Sequence, residues 1–394
     1  MPLATRIESL MQDYVPQRIP CVALRVANAT DTLYEGAWGY IDRDTQQHPT
    51  TTETFFDLAS VTKLFVCTTF LGLVARGKIG LHDPLVKLIP EFATARGIDG
   101  GQDPHTKQPL PTPSDKHGQI VDPTQVTFWH LLTHTSGLPP WRDVFTVVST
   151  PPPPPDQHDQ WLSDRRERAL QALCGYPFVS QPDGIVRYSD IGLMLLGFAI
   201  TRLTGKPLEQ AFEHNVHAHF ATPLYRPMNA WTHAKPLLQT QIAPTELDTT
   251  WRKRRIWGEV HDENCAGIGG IAGHAGMFGN LEQVTGLGQM WLSNSLELPN
   301  ELYTHTTTMQ ATTDNERRGL GWMIRSLQGS SAGDVLSTNT YGHTGFTGTS
   351  LFIDPDNQLV ITLLTNAVYD GRDIMPSYEF RRAVHTIVGE ELAQ

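Results

Sequence analysis

The chain has 394 residues, 39% hydrophobic and 18% charged, which is the composition of a folded globular protein and excludes a disordered one. A net charge of −11 at pH 7, with no long Lys/Arg stripe, argues against nucleic acid as a partner; the one basic cluster, Trp251-Arg252-Lys253-Arg254-Arg255, is short and reads as a solvated turn or a local ion-pair site. No apolar window reaches membrane-spanning length, no apolar run follows a basic N-terminal start, and the four cysteines lack metal-ligand spacing, so the expectation is a soluble, cytoplasmic protein with buried free thiols and no membrane partner.

In chain order, residues 3–15 place Ile7, Leu10, Met11 and Tyr14 on one helical face. Cys21 to Ala27 and Thr32 to Trp38 read as strands about the polar turn Asn28-Ala29-Thr30-Asp31. A helix is expected from Ser60 to Arg76, stopped by Gly77; it is apolar nearly all round and so belongs at the centre of the fold. Ser60 and Lys63 stand one turn apart at its start, where an amine can take the hydroxyl proton and make the serine a nucleophile.

Residues 97–125 are polar and aperiodic, a surface excursion, and Pro151 to Pro155 form a stiff loop that reads as an insertion. Helical patterns follow at 163–173, 189–204 and 207–219. Tyr188-Ser189-Asp190 stands before the second of these. Ser189 or Asp190 would cap that helix, and a phenol brought beside Ser60 and Lys63 could relay a proton, with the lysine cation favouring its phenolate. Strand patterns close the chain at Leu320 to Leu327, Thr349 to Ile353 and Leu359 to Thr365, before a helix at 377–392. Between them, His343-Thr344-Gly345 is either a turn into a strand or an edge strand for substrate, whose N–H groups can face a developing oxyanion. Strands at both ends with helices between imply one sheet assembled from the two termini.

Three motifs in this order, Ser60-x-x-Lys63, Tyr188-Ser189-Asp190 and His343-Thr344-Gly345, resemble those of the penicillin-recognising serine hydrolases, and most of all the class C β-lactamase, DD-peptidase and esterase group. Phe55-Phe56-Asp57-Leu58-Ala59, His130-Leu131-Leu132-Thr133-His134-Thr135-Ser136-Gly137-Leu138-Pro139 and Gly319-Leu320-Gly321-Trp322 fit the same family. The resemblance implies an α+β, β-lactamase/transpeptidase-like fold: an antiparallel sheet flanked by helices from residues 1–95 and 275–394, a mostly helical region at 96–274, and a cleft between them. It implies Ser60 as nucleophile, Lys63 as base, Tyr188 as proton shuttle, and the N–H groups of Ser60 and Phe346 as oxyanion hole. No metal or organic cofactor is called for.

Two departures bear on substrate. Asp190 replaces the usual Asn, and a carboxylate accepts rather than donates; His343 replaces the usual Lys, and is a cation only when protonated. Both turn the expectation from β-lactams towards an ester or amide. Gly258-Glu259-Val260-His261-Asp262-Glu263-Asn264 with Gly269-Gly270-Ile271-Ala272-Gly273-His274-Ala275-Gly276-Met277-Phe278 resembles a subgroup that includes exo-acting N-acetylmuramyl-L-alanine amidases. There His261, Asp262 and His274 would line or brace the cleft; no paired metal-ligand spacing such as H-E-x-x-H occurs, which favours hydrogen bonding over zinc. The expected activity is therefore a Ser60 acyl-enzyme hydrolase, an esterase or a muropeptide or peptide amidase, with Asp190, His343, Thr344, Gly345, His261 and His274 at the substrate. A β-lactamase or D-Ala-D-Ala carboxypeptidase is the alternative within enzymes, and a non-catalytic penicillin- or peptide-binding sensor the alternative outside them.

Overall fold

The computed structural model describes residues 2–104, 106–147, 151, 163–215, 239–373 and 375–393. Most of the Pro151 to Pro155 run and the end of the helix expected at 207–219 lie outside these. The strands of the principal sheet are β1 (Cys21–Ala27), β2 (Thr32–Gly39), β3 (Ala311–Thr313), β4 (Glu316–Arg318), β5 (Met323–Ile324), β6 (Tyr341–Thr344), β7 (Ser350–Asp354) and β8 (Leu359–Thr365). They lie in the order β2-β1-β8-β7-β6-β5-β4-β3, and every neighbouring pair is antiparallel. The two ends of the chain therefore meet at β1 and β8, from Val22 opposite Thr365 to Ala27 opposite Val360.

Period-two alternation gives the sheet two covered faces. Val22, Leu24, Val26, Ile361 and Leu363 point into one core, where they meet Ile7 and Met11 of helix α1 (Leu3–Tyr14) and Phe380, Val384 and Val388 of the C-terminal helix (Met375–Leu392). Ala23, Val360 and Leu364 point the other way, into the main core. That core holds α2 (Thr62–Ala75), α3 (Asp190–Thr204) and α4 (Leu281–Leu292), with the C-terminal helix as α5. Helix α2 is buried almost all round, and Leu64, Phe65, Phe70 and Leu71 are each at most 1% exposed. At about 1.5–3 kcal/mol per buried side chain, these four outweigh any propensity term in fixing α2 at the centre. Its hydroxyls stay satisfied inside the helix, Thr68 Oγ1 on Leu64 O at 2.6 Å and Thr69 Oγ1 on Phe65 O at 2.9 Å.

Local chemistry sets the ends. Ser189 is the N-cap of α3, its Oγ accepting from Gly192 N–H at 3.1 Å, and Gly205 closes the helix in the left-handed region at φ 64°. Capping by Ser189 leaves the Asp190 carboxylate free for other work. The strand expected at Leu320 to Leu327 shrinks to Met323–Ile324. Gly321 sits at φ +80° and donates to Leu132 O, which turns the backbone out of the sheet before β5, while Leu320 and Trp322 fill the core. Among the described residues no helix is long and apolar enough to cross a membrane. All four cysteines are buried and free.

Candidate active site

Ser60 does not begin α2. It sits in a tight turn, Ala59–Val61, just ahead of it, and Ala59 is in the left-handed region at φ 45°, which an alanine adopts only under constraint. The constraint is visible. Ala59 N–H donates to Asp57 Oδ1 at 2.8 Å, the hydroxyls of Thr347 and Thr349 donate to the carbonyls of Asp57 and Leu58 at 2.7 and 3.0 Å, and Leu58 N–H donates to Met277 O at 2.9 Å. A strain of roughly 1–3 kcal/mol is thus held by bonds from three separate segments. Gly345 has to be a glycine here, since a Cβ would lie 2.5 Å from Leu58 O and 2.1 Å from Thr349 Oγ1. Its absence lets the end of β6 come against Ser60.

The helical spacing of Ser60 and Lys63 brings Nζ to 2.7 Å from Oγ. Lys63 is 1% exposed, and it also donates to the main-chain oxygen of His274 at 2.9 Å and pairs with Asp190 Oδ1 at 2.8 Å. Burial pulls the lysine's pKa down, but Asp190 and Tyr188 push it up by more, and the net direction is up. With three acceptors within 2.9 Å, the group is an ammonium ion. Because Lys63 donates to Ser60 Oγ, the Ser60 proton is free to point at Tyr188 Oη, 2.8 Å away. The phenolate expected from the lysine cation is not favoured: burial and then Asp190 push Tyr188 up to about 12, outweighing Lys63. The carboxylate in place of the usual Asn neutralises the very cation that would have ionised the phenol.

Tyr188 is walled by rings and cations. His134 lies 4.9 Å away centroid to centroid, His343 5.9 Å, and the Arg318 guanidinium sits 5.5 Å from its face. His134 Nδ1 accepts from Ser189 N–H at 3.1 Å, so its ring is the neutral Nε2–H tautomer, and burial together with the charges of Arg318, His343 and Lys63 holds its pKa well below the ordinary value.

His343 departs from expectation in the same direction. Burial, then Lys63 and Arg318, push its pKa well below the usual histidine value, and Nδ1 donates to Thr344 O at 2.7 Å. What it offers is a neutral Nε2 lone pair without a protein partner among the described residues, an acceptor where the motif it resembles has a lysine. Nor is β6 an edge strand, since three strands lie beyond it. The neighbouring β5, however, pairs only with Tyr341 and Gly342, and this leaves His343 and Thr344 without a strand on that side.

A cleft of about 810 Å³ opens here. Ser60, Tyr188, Asp190, His261, His274, His343, Thr344, Gly345 and Phe346 all border it, while Lys63 lies buried behind Ser60. Among the described residues neither the Ser60 nor the Phe346 main-chain N–H donates to a protein acceptor. On one wall His261 stacks on Phe346 at 5.7 Å and approaches Glu246 at 3.4 Å, and Arg372 bridges Glu246 and Glu263. Burial opposes, but His261 and Arg372 bring Glu246 down to about 2. His274 Nε2 meets Asp262 Oδ1 at 2.9 Å, and Asp262 also caps the helix Glu263–Ile268. Among the described residues no group of three His, Cys, Asp or Glu side chains is placed to hold a metal ion.

Arg381 was not foreseen. It lies on α5, is 5% exposed, borders the cleft, and donates to Gly345 O and Thr349 O at 3.3 Å each. Burial alone lowers it to about 10, and among the described residues no carboxylate pairs with it. The available signal was positional: Arg381 repeats the buried stripe Ser377, Phe380, Val384 and Val388, so a basic residue stands on an apolar face. Arg318, Arg372, Lys107 and Trp141 also border the cleft, and no motif marked them.

A family model described as Beta-lactamase matches residues 3–384. A putative D-alanyl-D-alanine carboxypeptidase of Escherichia coli (strain K12) is 30% identical over 394 residues, covering 90% of this chain and 81% of the relative. The protein of the same name from Salmonella agona (strain SL483) is 29% identical over 391 residues, with 92% and 82% covered. Among solved structures, the hydrolase EstCE1, described as having promiscuous acyltransferase activity, is similar at a TM-score of 0.68 and 21% identity over 97% of this chain and 98% of its own. Unliganded simvastatin synthase (LovD) from Aspergillus terreus reaches 0.72 at 18% identity over the full length of both chains. At such identities these structures speak for the fold alone.

Proposed function

The chain belongs to the beta-lactamase family of serine hydrolases, and on that premise we propose that it is a peptidase that releases a C-terminal residue through an acyl-enzyme on Ser60. The observation that carries this reading is Arg381. A buried guanidinium without an acid is costly, by several kcal/mol even after relaxation. It bonds the carbonyl of Gly345, and the next residue, Phe346, carries an N–H proposed for the oxyanion hole. Arg381, Phe346 and Ser60 border one cleft, so a substrate carbonyl facing Ser60 and a terminal carboxylate facing Arg381 can occupy it together. This suits a substrate whose last peptide bond is cut. His343, neutral and accepting, leaves Arg381 to supply the positive charge. The relatives' printed name, D-alanyl-D-alanine carboxypeptidase, fits the same substrate class.

In this mechanism Ser60 Oγ attacks the scissile carbonyl while its proton passes to Tyr188 Oη, and Tyr188 gives its own proton to the departing amine. The phenol is neutral before and after, as a pKa near 12 requires. Lys63 stays an ammonium, and with the N–H groups of Ser60 and Phe346 it steadies the developing negative charge. A cytoplasmic setting belongs to the same reading and rests on the four buried, unbridged thiols, a state that reducing compartments keep. A small-ester esterase or a muropeptide amidase would share the Ser60 chemistry without needing Arg381 for a terminal carboxylate. The test is a pair of peptides ending in D-alanyl-D-alanine, one with a free carboxylate and one amidated. Cleavage of the free acid alone supports the carboxypeptidase reading; equal cleavage of both overturns it.

A further inference from the structure

The residues of the proposed acylation step leave the His274–Asp262 pair of the cleft unused. His274 is 1% exposed, its Nε2 meets Asp262 Oδ1 at 2.9 Å, and its Nδ1 is buried with no partner among the described residues. Asp262 is held as a carboxylate well below the usual range: burial opposes this, and the neighbouring His274 together with the Cys265 N–H brings it about. A carboxylate facing Nε2 fixes the Nε2–H tautomer and leaves the lone pair on Nδ1, on a ring that borders the cleft. A buried polar atom without a partner costs about 1–3 kcal/mol, so its persistence calls for an occupant. The main-chain oxygen of the same residue holds Lys63, which ties the ring to the nucleophile's wall.

The other candidates for a base differ. Lys63 has no lone pair to offer. His343 has a free lone pair but no acid behind it, and His134 has its lone pair on Ser189 N–H. His261 has Glu246 behind it, but at 3.4 Å and with that carboxylate already bonded to Arg372, whereas His274 combines an unpartnered nitrogen with a carboxylate at 2.9 Å, the base-and-orienter arrangement of hydrolytic sites.

We infer that His274, oriented by Asp262, is the base that activates the water which releases the acyl group from Ser60. This rests on the acyl-enzyme reading above. The water oxygen bonds to the acyl carbon as one of its protons moves to His274 Nδ1, and Asp262 steadies the imidazolium. The tetrahedral adduct then collapses: the bond from carbon to Ser60 Oγ breaks, Oγ leaves with its electron pair and takes a proton from Lys63. The proton on His274 returns to Lys63 through solvent, so charge and protons balance over the turnover.

The experiment is p-nitrophenyl butyrate hydrolysis by stopped flow, paired with intact-protein mass spectrometry, for wild type, His274→Gln, His274→Ala and Asp262→Asn. In His274→Gln the first equivalent of p-nitrophenol should appear at the wild-type rate. Steady turnover should then fall on the order of 10²-fold, with the butyryl adduct accumulating on Ser60. Asp262→Asn keeps the capping oxygen and should show a smaller loss of the same kind. Added imidazole should restore turnover in His274→Ala. Should the Ala variant fail to fold, the Gln variant still decides. Steady turnover at the wild-type rate, or equal losses in burst and steady rates, overturns the inference. Absence of any Ser60 adduct or turnover in wild type across acyl donors would instead remove the acyl-enzyme reading, and this inference with it.

Discussion

The two walls of the cleft are built on opposite principles. On the nucleophile side, Ser60, Lys63 and Tyr188 spend their polar atoms on one another and on Asp190 and His274, at 2.7–2.9 Å. Elsewhere around the cleft, His343 Nε2, His274 Nδ1 and Arg381 Nε are buried without a protein partner among the described residues. Saturated groups are preorganised and need nothing from the substrate to hold their places. Orphaned ones carry a desolvation cost that a ligand removes on binding. The first wall therefore belongs to the reaction and the second to the choice of substrate and to its release.

Breaking the first wall should have the largest effect. Tyr188→Phe removes the relay but keeps the ring among His134, His343 and Arg318, so kcat should fall about 10²–10⁴-fold with the thermal midpoint little changed. A midpoint that collapses with the activity would make Tyr188 structural.

Breaking the second wall should separate function from stability. Arg381→Met removes a buried cation whose two carbonyl acceptors, Gly345 O and Thr349 O, also receive the N–H groups of Gly348 and Gly345. kcat/KM for peptides with a free C-terminal carboxylate should drop on the order of 10²-fold, the scale of one lost charge-assisted bond. Hydrolysis of p-nitrophenyl esters should hold, and stability should stay level or rise, as for other buried charges exchanged for apolar groups. Equal loss on both substrates would move Arg381 to a structural role.

Asp190→Asn exchanges the walls' characters at one point. It leaves Lys63 buried without its counter-charge, for which a cost of about 3 kcal/mol in chemical denaturation is expected. With the carboxylate gone, the pKa values of Lys63 and Tyr188, both raised by Asp190, should come down. The amide also restores a donor to the cleft, so acylation by nitrocefin should increase. Unchanged stability would show that the ion pair is not what holds Lys63.

The smallest effect is graded. His134, His343 and His385 all have folded-state pKa values below the ordinary 6.5, chiefly by burial, with His385 down to about 3. Their neutral forms are fully compatible with the fold above pH 6.5. As pH falls through that value the unfolded chain takes up protons that the folded chain refuses, and stability should decline by up to roughly 1.4 kcal/mol per pH unit for each. Flat stability between pH 6.5 and 4 would contradict their burial as neutral rings.

What could be read in the sequence followed from periodicity and spacing. Helix α2, strands β1, β2, β7 and β8 and the closing helix α5 are long and regular, and each carries its own pattern. Ser60, Lys63 and Tyr188 lay in separate short motifs, and the fold brings them within hydrogen-bond reach. Other features were hidden because they are not local. The break at Gly321 depends on a bond to Leu132 and the strain at Ala59 on Thr347 and Thr349. Arg381 is a single basic residue whose meaning appears only when α5 lies against β6. The neutral state of Tyr188 is hidden for a related reason: the lysine beside it is visible in the sequence, but the burial of the phenol and the opposing charge of Asp190 appear only in the fold.

Intact-protein mass spectrometry after brief exposure to an activated acyl donor tests the central claim most directly. Wild type should gain one acyl group, mapped to the peptide containing Ser60 and lost with time as turnover proceeds, and Ser60→Ala should gain none. An adduct elsewhere, or turnover that survives Ser60→Ala, would contradict the account.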